Sequence, residues 1–371
     1  MIGRSGQGDR RRNYYKVVTL LRIAFPVIFV ALAAESTELQ SLPSAILWSV
    51  ALPAQSVGSP TIAGGAIVVG LQTGQVVAYS AKDGQEAWRV PLHADQAIVA
   101  DETLLFVAAG EKVHALDATD GKVLWEAASG TLIAPPLVQG GWVIAATAGQ
   151  LAAFREIDGA KVWSHDSPPL HVRPTIEGNN LYVPLDEGRL VALDLQTGAE
   201  RWTRFPAKGA LSEALAFPDR IFVGAGNKAF YAFDAGDGDI DWSFQIGTIV
   251  RGRPASDGSR VFTASMDNIV RAFDRRSGAL VWHQAVPYRP TTGPMIMGTA
   301  VIATGVSAEI RAFECATGKA AGQIKLDQPL AAPPAFSGSG TNTRMAAITG
   351  SPGGEWKLLL TGPPVPKAPP E

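Results

Sequence analysis

Three charged residues stand at intervals of forty: Arg173, Glu213 and Arg253. The two arginines each precede a proline, Pro174 and Pro254, and Glu213 holds the same place in a copy that lacks the proline. Two guanidinium groups beside one carboxylate suit the recognition of carboxylates or of extended peptide backbone, because arginine presents a fork of donors. Two residues earlier in the same copies are His171, Leu211 and Arg251. The polar segments that share their face add Asp186, Glu187, Arg189, Lys228, Asp267 and Asn268. The competing expectation is that these charges only pair with one another, since structural ion pairs mimic functional sites.

Catalytic chemistry has less support. The chain contains no Gly-x-Ser-x-Gly elbow, no phosphate-binding loop and no Cys-x-x-Cys. His93, His114, His165, His171 and His283 show no metal-ligand spacing among themselves or with the single cysteine, Cys315. Asp186-Glu187 reads as a solvated loop pair before it reads as a cation site. Cys315 reads as a half-buried small residue. Tyr182, Phe222, Phe262 and Trp142 read as core.

The spacing of forty belongs to a repeat. Leu190 to Trp202 reads LVALDLQTGAERW: alternating apolar residues, a Thr-Gly turn, then tryptophan four residues past the glycine. Alternation followed by a turn signal indicates two antiparallel strands. The pattern recurs with turn glycines at Gly84, Gly121, Gly159, Gly198, Gly238, Gly278 and Gly318, separated by 37 to 40 residues. Its tryptophans are Trp88, Trp125, Trp163, Trp202, Trp242 and Trp282, and Gly322 stands where a seventh belongs. A period near forty with four strands per unit is the signature of a β-propeller. Each tryptophan is expected to wedge against the next blade's turn glycine, and the blade that lacks it is expected to have the softest junction.

Trp48, 40 residues before Trp88, has no hairpin partner upstream. Residues 329–361 supply three strands without a fourth. The ring therefore closes on a split blade, with its outer strand from residues 45–52. This gives an all-β, eight-bladed β-propeller of four-stranded antiparallel blades over residues 45–362, closed by N- and C-terminal strands that leave no open sheet edge between first and last blades.

Residues 1–33 carry a basic stretch and then an apolar one ending Ala31-Leu32-Ala33, and read as an export signal or membrane anchor, by the general or the twin-arginine route. Residues 34–44 read as a linker and the proline-rich 363–371 as a disordered tail. Without the leader the formal charge is −7, which argues against nucleic acid as a partner.

The pattern A-[LF]-D-x-x-[TDS]-G-x-x-x-W, with Asp117, Asp194, Asp234 and Asp274 at its acidic position, resembles the repeat of the quinoprotein (PQQ-like) β-propellers over residues 45–361. Ser80 and Arg155 depart from it. Quinone-dependent dehydrogenases of that family imply PQQ, calcium, an aspartate base and usually a vicinal cysteine pair. A chain with one cysteine cannot form that pair, and it is short for such an enzyme. The BamB-type outer-membrane assembly proteins match it in size. They are lipoproteins, whereas no cysteine follows the apolar run here. The resemblance therefore implies a monomeric, non-enzymatic, cofactor-free scaffold in the periplasm or elsewhere outside the cytoplasm. It would bind protein partners, touching a membrane only through an uncleaved leader. A small PQQ-dependent oxidoreductase and an anion-binding sensor module are the alternatives.

Overall fold

The structure is a computed structural model that describes residues 42–101, 103–338 and 342–363. The leader and all of the tail beyond Pro363 lie outside the described residues.

Eight four-stranded antiparallel sheets make up the fold. Blade four is representative: A is Thr175–Glu177, B is Asn180–Pro184, C is Leu190–Asp194 and D is Glu200–Arg204, each hydrogen-bonded to the next. The inner strands are short and the B and C strands are buried on both faces, as sheets sandwiched between neighbours require. The buried apolar side chains fall into eight clusters, and each draws on two adjacent blades. The core is therefore a ring of junctions. Tyr182, Phe222 and Phe262 are fully buried in it, whereas Trp142 is half-buried at the start of its strand.

The closing blade is split as the repeat demands. Ala45–Leu52 pairs antiparallel with Trp356–Gly362, with Trp48 opposite Leu360. Arg344–Thr349 and Ala335–Ser337 complete that sheet. In every blade the D strand bulges at the residue before the repeat tryptophan or its replacement, as at Leu47, Ala87 and Ala321. A bulge on the outermost strand disrupts its free edge and hinders pairing with other chains.

Seven of the eight junctions are fastened by one device. Trp48, Trp88, Trp125, Trp163, Trp202, Trp242 and Trp282 lie on Gly84, Gly121, Gly159, Gly198, Gly238, Gly278 and Gly318 of the following blade. A Cβ added at these glycines would lie 2.5–2.8 Å from ring atoms. The glycines also adopt φ of +68° to +77°, which side chains rarely tolerate. Each indole N–H donates to the backbone carbonyl three residues before that glycine, at 2.8–3.3 Å. The turn is held from within by its aspartate. Asp194 Oδ1 accepts from Thr197 N and Oγ1, both at 2.9 Å, and Oδ2 accepts from Arg201 at 2.6 Å. The Arg201 bond, then those from Thr197, hold this carboxyl at about 2.

The junction between blades seven and eight lacks the device and is not left empty. The split blade has no C–D turn to receive a ring, and Gly322 provides none. Leu42, just before the first strand, packs there against Met297, Ile324, Met345 and Leu359 and is 9% exposed. A Cβ at Gly322 would lie 2.9 Å from Leu42 Cδ1, and Gly322 has φ +137°. The expected weak junction is thus sealed by a residue from the stretch read as linker.

Leu42→Ala is expected to lower stability by about 2–4 kcal/mol, against well under 1 kcal/mol for the exposed Leu47→Ala. Equal urea midpoints for the two variants would disprove the seal. Asp194 contributes stability above its unfolded value of 3.8, and that contribution fades as pH falls towards about 2. Parent and Asp194→Asn proteins should therefore differ in urea midpoint at pH 6 and converge near pH 2.

Candidate functional site

The D–A and B–C connections lie on one face of the ring and the A–B and C–D turns on the other. At the first face the inner strands converge on a cavity of about 720 Å³ lined by residues from all eight blades. The ladder register sets which residues reach it. Thr175 pairs with Tyr182, Leu215 with Phe222 and Ala255 with Phe262, so these three occupy equivalent positions. Two residues before them come Arg173, Glu213 and Arg253, and all three line the cavity. In blade two Val99 pairs with Phe106, which places Ala97 at the equivalent point and settles a position the sequence left ambiguous near Gln96.

Backbone geometry aims these side chains. A residue before proline is held extended, which fixes Arg173 and Arg253. Arg253 also sits in an irregularity of its strand, between the pairs Arg251–Ala264 and Ala255–Phe262. Two glycines permit this. Gly252 has φ +60° and a Cβ there would lie 2.2 Å from Gly293 N, while a Cβ on Gly293 would lie 1.8 Å from the Arg253 carbonyl. Blades six and seven are thereby in direct backbone contact beside Arg253.

The electrostatics are asymmetric. Arg173 Nε lies 3.6 Å from Glu213 Oε1, a loose pair. Arg253 Nε donates to the Ala214 carbonyl at 3.2 Å. Its side chain is exposed on the cavity wall. Burial lowers its proton affinity, Glu213 raises it and Arg173 lowers it further. Arg253 stays charged and faces a second cation across one carboxylate. The opposite wall, from blades eight, one, two and three, presents Pro333, Ser59, Ala97 and Pro135.

The other expected residues surround the mouth and do not line it. His171 Nδ1 donates to Asp186 Oδ2 at 2.5 Å and its backbone N–H to Oδ1 at 3.1 Å. Glu187 pairs with Arg189, and Asp267 with Arg271 at 2.5 Å. Leu211 is buried. Arg251 Nε contacts Met266 Sδ, and among the described residues no carboxylate lies within ion-pair reach of Arg251, Arg253 or Arg289 on this face. Lys228 and Asn268 hold the positive-φ positions of their loops. Internal pairing therefore accounts for the loop charges, and the arginines facing the channel remain in excess. Sequence reasoning missed Thr291 and Thr292 on the cavity wall, because blade seven carries no charge at the aligned position.

Comparisons with known proteins converge. A family model for the outer membrane protein assembly factor BamB matches residues 26–98, 72–218 and 206–352. The BamB of Burkholderia pseudomallei is 29% identical over 308 residues, covering 76% of this chain and 80% of the relative. The crystal structure of BamB from Moraxella catarrhalis superposes with a TM-score of 0.67 at 19% identity, over 85% of this chain and 99% of that one. The quinohemoprotein alcohol dehydrogenase of Comamonas testosteroni gives 0.66 at 13% identity, over 85% and 76%. The two solved structures share the fold with this chain.

The residues here do not fit a quinone–calcium site. Glu213, the one carboxylate of the cavity wall, is engaged by Arg173, and no group of three or more histidine, cysteine or acidic side chains converges among the described residues. Cys315 lies in a C–D turn on the opposite face, where burial pushes its thiol up to about 12. Native protein at pH 8 should therefore resist iodoacetamide and react once denatured, as intact mass will show; rapid labelling of the native form would refute a buried, unreactive thiol.

Proposed function

The chain belongs to the BamB family of outer membrane protein assembly factors, and we propose that it works as a non-enzymatic, monomeric scaffold in the cell envelope. Its partners in this reading are proteins of the machinery that assembles outer membrane proteins. The attachment site is the mouth of the axial channel. The observation that carries the choice is the excess of arginine at Arg173, Arg251 and Arg253, in a ring whose other face is occupied by repeat turns. Such a rigid platform presents donors to carboxylates or peptide backbone without reorganisation, which favours binding over turnover. The supporting loops, with His171 held on Asp186 and Arg189 on Glu187, shape the mouth without adding free charge.

Localisation follows from the same reading: the propeller acts in the periplasm, delivered there by residues 1–33 as export signal or anchor. No helix among the described residues is long and apolar enough to cross a membrane. An oxidoreductase of the dehydrogenase type is disfavoured by the donor set of the channel.

Capture from envelope extracts tests the proposal. The parent protein should retain outer-membrane assembly components, and the Arg173→Ala/Arg253→Ala variant should lose at least about tenfold of that capture, since a hot-spot arginine is worth about 2 kcal/mol or more. Undiminished capture by the variant would remove the channel mouth from the interface. Saturable PQQ binding with dye reduction in the presence of calcium would overturn the scaffold reading itself.

A further inference from the structure

Where two blades meet, two positions on the C strand face the neighbouring blade. They flank the alanine opposite the repeat tryptophan. In blade five they are Tyr231 and Phe233, and in blade six Arg271 and Phe273. Blade four has Val191 and Leu193 there. On the facing D strand, the position two past the tryptophan is Val90 in blade one and Phe244 in blade five, but His165 in blade three. Small aliphatic side chains thus oppose an imidazole, and a groove of about 450 Å³ remains between blades three and four.

The groove has a consistent chemistry. Its floor is apolar, with Leu185, Val191 and Leu193. Its wall is Trp163, with the His165 ring stacked on it at 5.4 Å and 12°. Its rim bears Asp166 and Glu200, and among the described residues neither has a cation within ion-pair reach. Arg189 also borders it but is taken by Glu187. His165 Nδ1 lies 3.0 Å from the Asp166 carbonyl, which can only accept, so in the neutral ring Nε2 is an acceptor. That nitrogen is buried without a partner. An apolar hollow bounded by two free carboxylates complements an apolar body carrying positive charge.

We propose that the groove between blades three and four is a docking site for an apolar, aromatic-sized side chain borne on a basic segment of a partner protein. The side chain fills the volume that Tyr231 and Phe233 fill one junction further on. Flanking lysine or arginine meets Asp166 and Glu200. No residue lines both this groove and the axial channel, so the two sites are separable.

The test titrates the full propeller with a terminally blocked hexapeptide of alternating lysine and phenylalanine. Binding is followed by the indole N–H resonance of Trp163, assigned with Trp163→Phe. Two control peptides replace lysine by glutamate or phenylalanine by serine. The basic aromatic peptide should shift the Trp163 signal, and both controls should bind at least about tenfold more weakly. Val191→Tyr/Leu193→Phe, which transplants the filling of blade five, should lose at least about tenfold in affinity. Asp166→Lys/Glu200→Lys, at exposed positions that leave the fold alone, should lose as much and decides the matter if the filled variant does not fold. Arg173→Ala/Arg253→Ala should bind the peptide as the parent does. Equal binding of the acidic peptide, retained binding by the rim variant, a stationary Trp163 signal or loss of binding in the channel variant would each overturn the proposal.

Discussion

The ring depends on one contact repeated around it: an indole laid on a glycine that cannot carry a side chain. The contact joins three requirements that would otherwise be independent. The glycine must have positive φ to turn the C–D hairpin, the missing Cβ makes room for the ring, and the indole N–H satisfies a carbonyl that the turn leaves free. Removing any one strands the other two, because a buried donor without an acceptor and an unfilled ring-sized volume are both costly. The device also fixes distance. With the outer strand of each blade seated on the next blade's turn, the inner strands are left with little choice of position.

That constraint makes a chemically varied channel possible. The residues facing the axis carry no part of the fastening, so blades four, five and six can bring Arg173, Glu213 and Arg253 to one wall while blades eight to three contribute proline and small residues. The opposition of Arg253 to Arg173 is offset by Glu213, and the Ala214 carbonyl accepts from Arg253.

The repeat was legible in the sequence because glycine and tryptophan are two ends of the same contact and must appear together. The split blade was legible because Trp48 had no hairpin. The axial residues were aligned on the proline where one marked the register, and in blade five on the forty-residue spacing; blade two, with Ile98 at the proline position and a shorter repeat, resisted alignment. Two features were not legible. Gly322 looked like a missing fastener, since nothing in the pattern tells that Leu42, outside the repeat, occupies its place. The groove beside Trp163 is a deficit of volume shared between Val191, Leu193 and His165, residues ordinary in themselves and separated along the chain.

The pairing of Ala45 with Gly362 has a temporal consequence. The first strand to be synthesised finds its partner only when the last one has been made. Until then its apolar stretch, Ile46-Leu47-Trp48, has no sheet to join. Seven blades can form in order as the chain emerges, each from neighbours close in sequence, but the circle stays open through the whole of synthesis. Its completion is the least local event in the fold and hence the slow one. The chain therefore passes through a horseshoe stage with the split sheet unfinished, and it is this stage, rather than the finished ring, that is most exposed to misassembly and proteolysis.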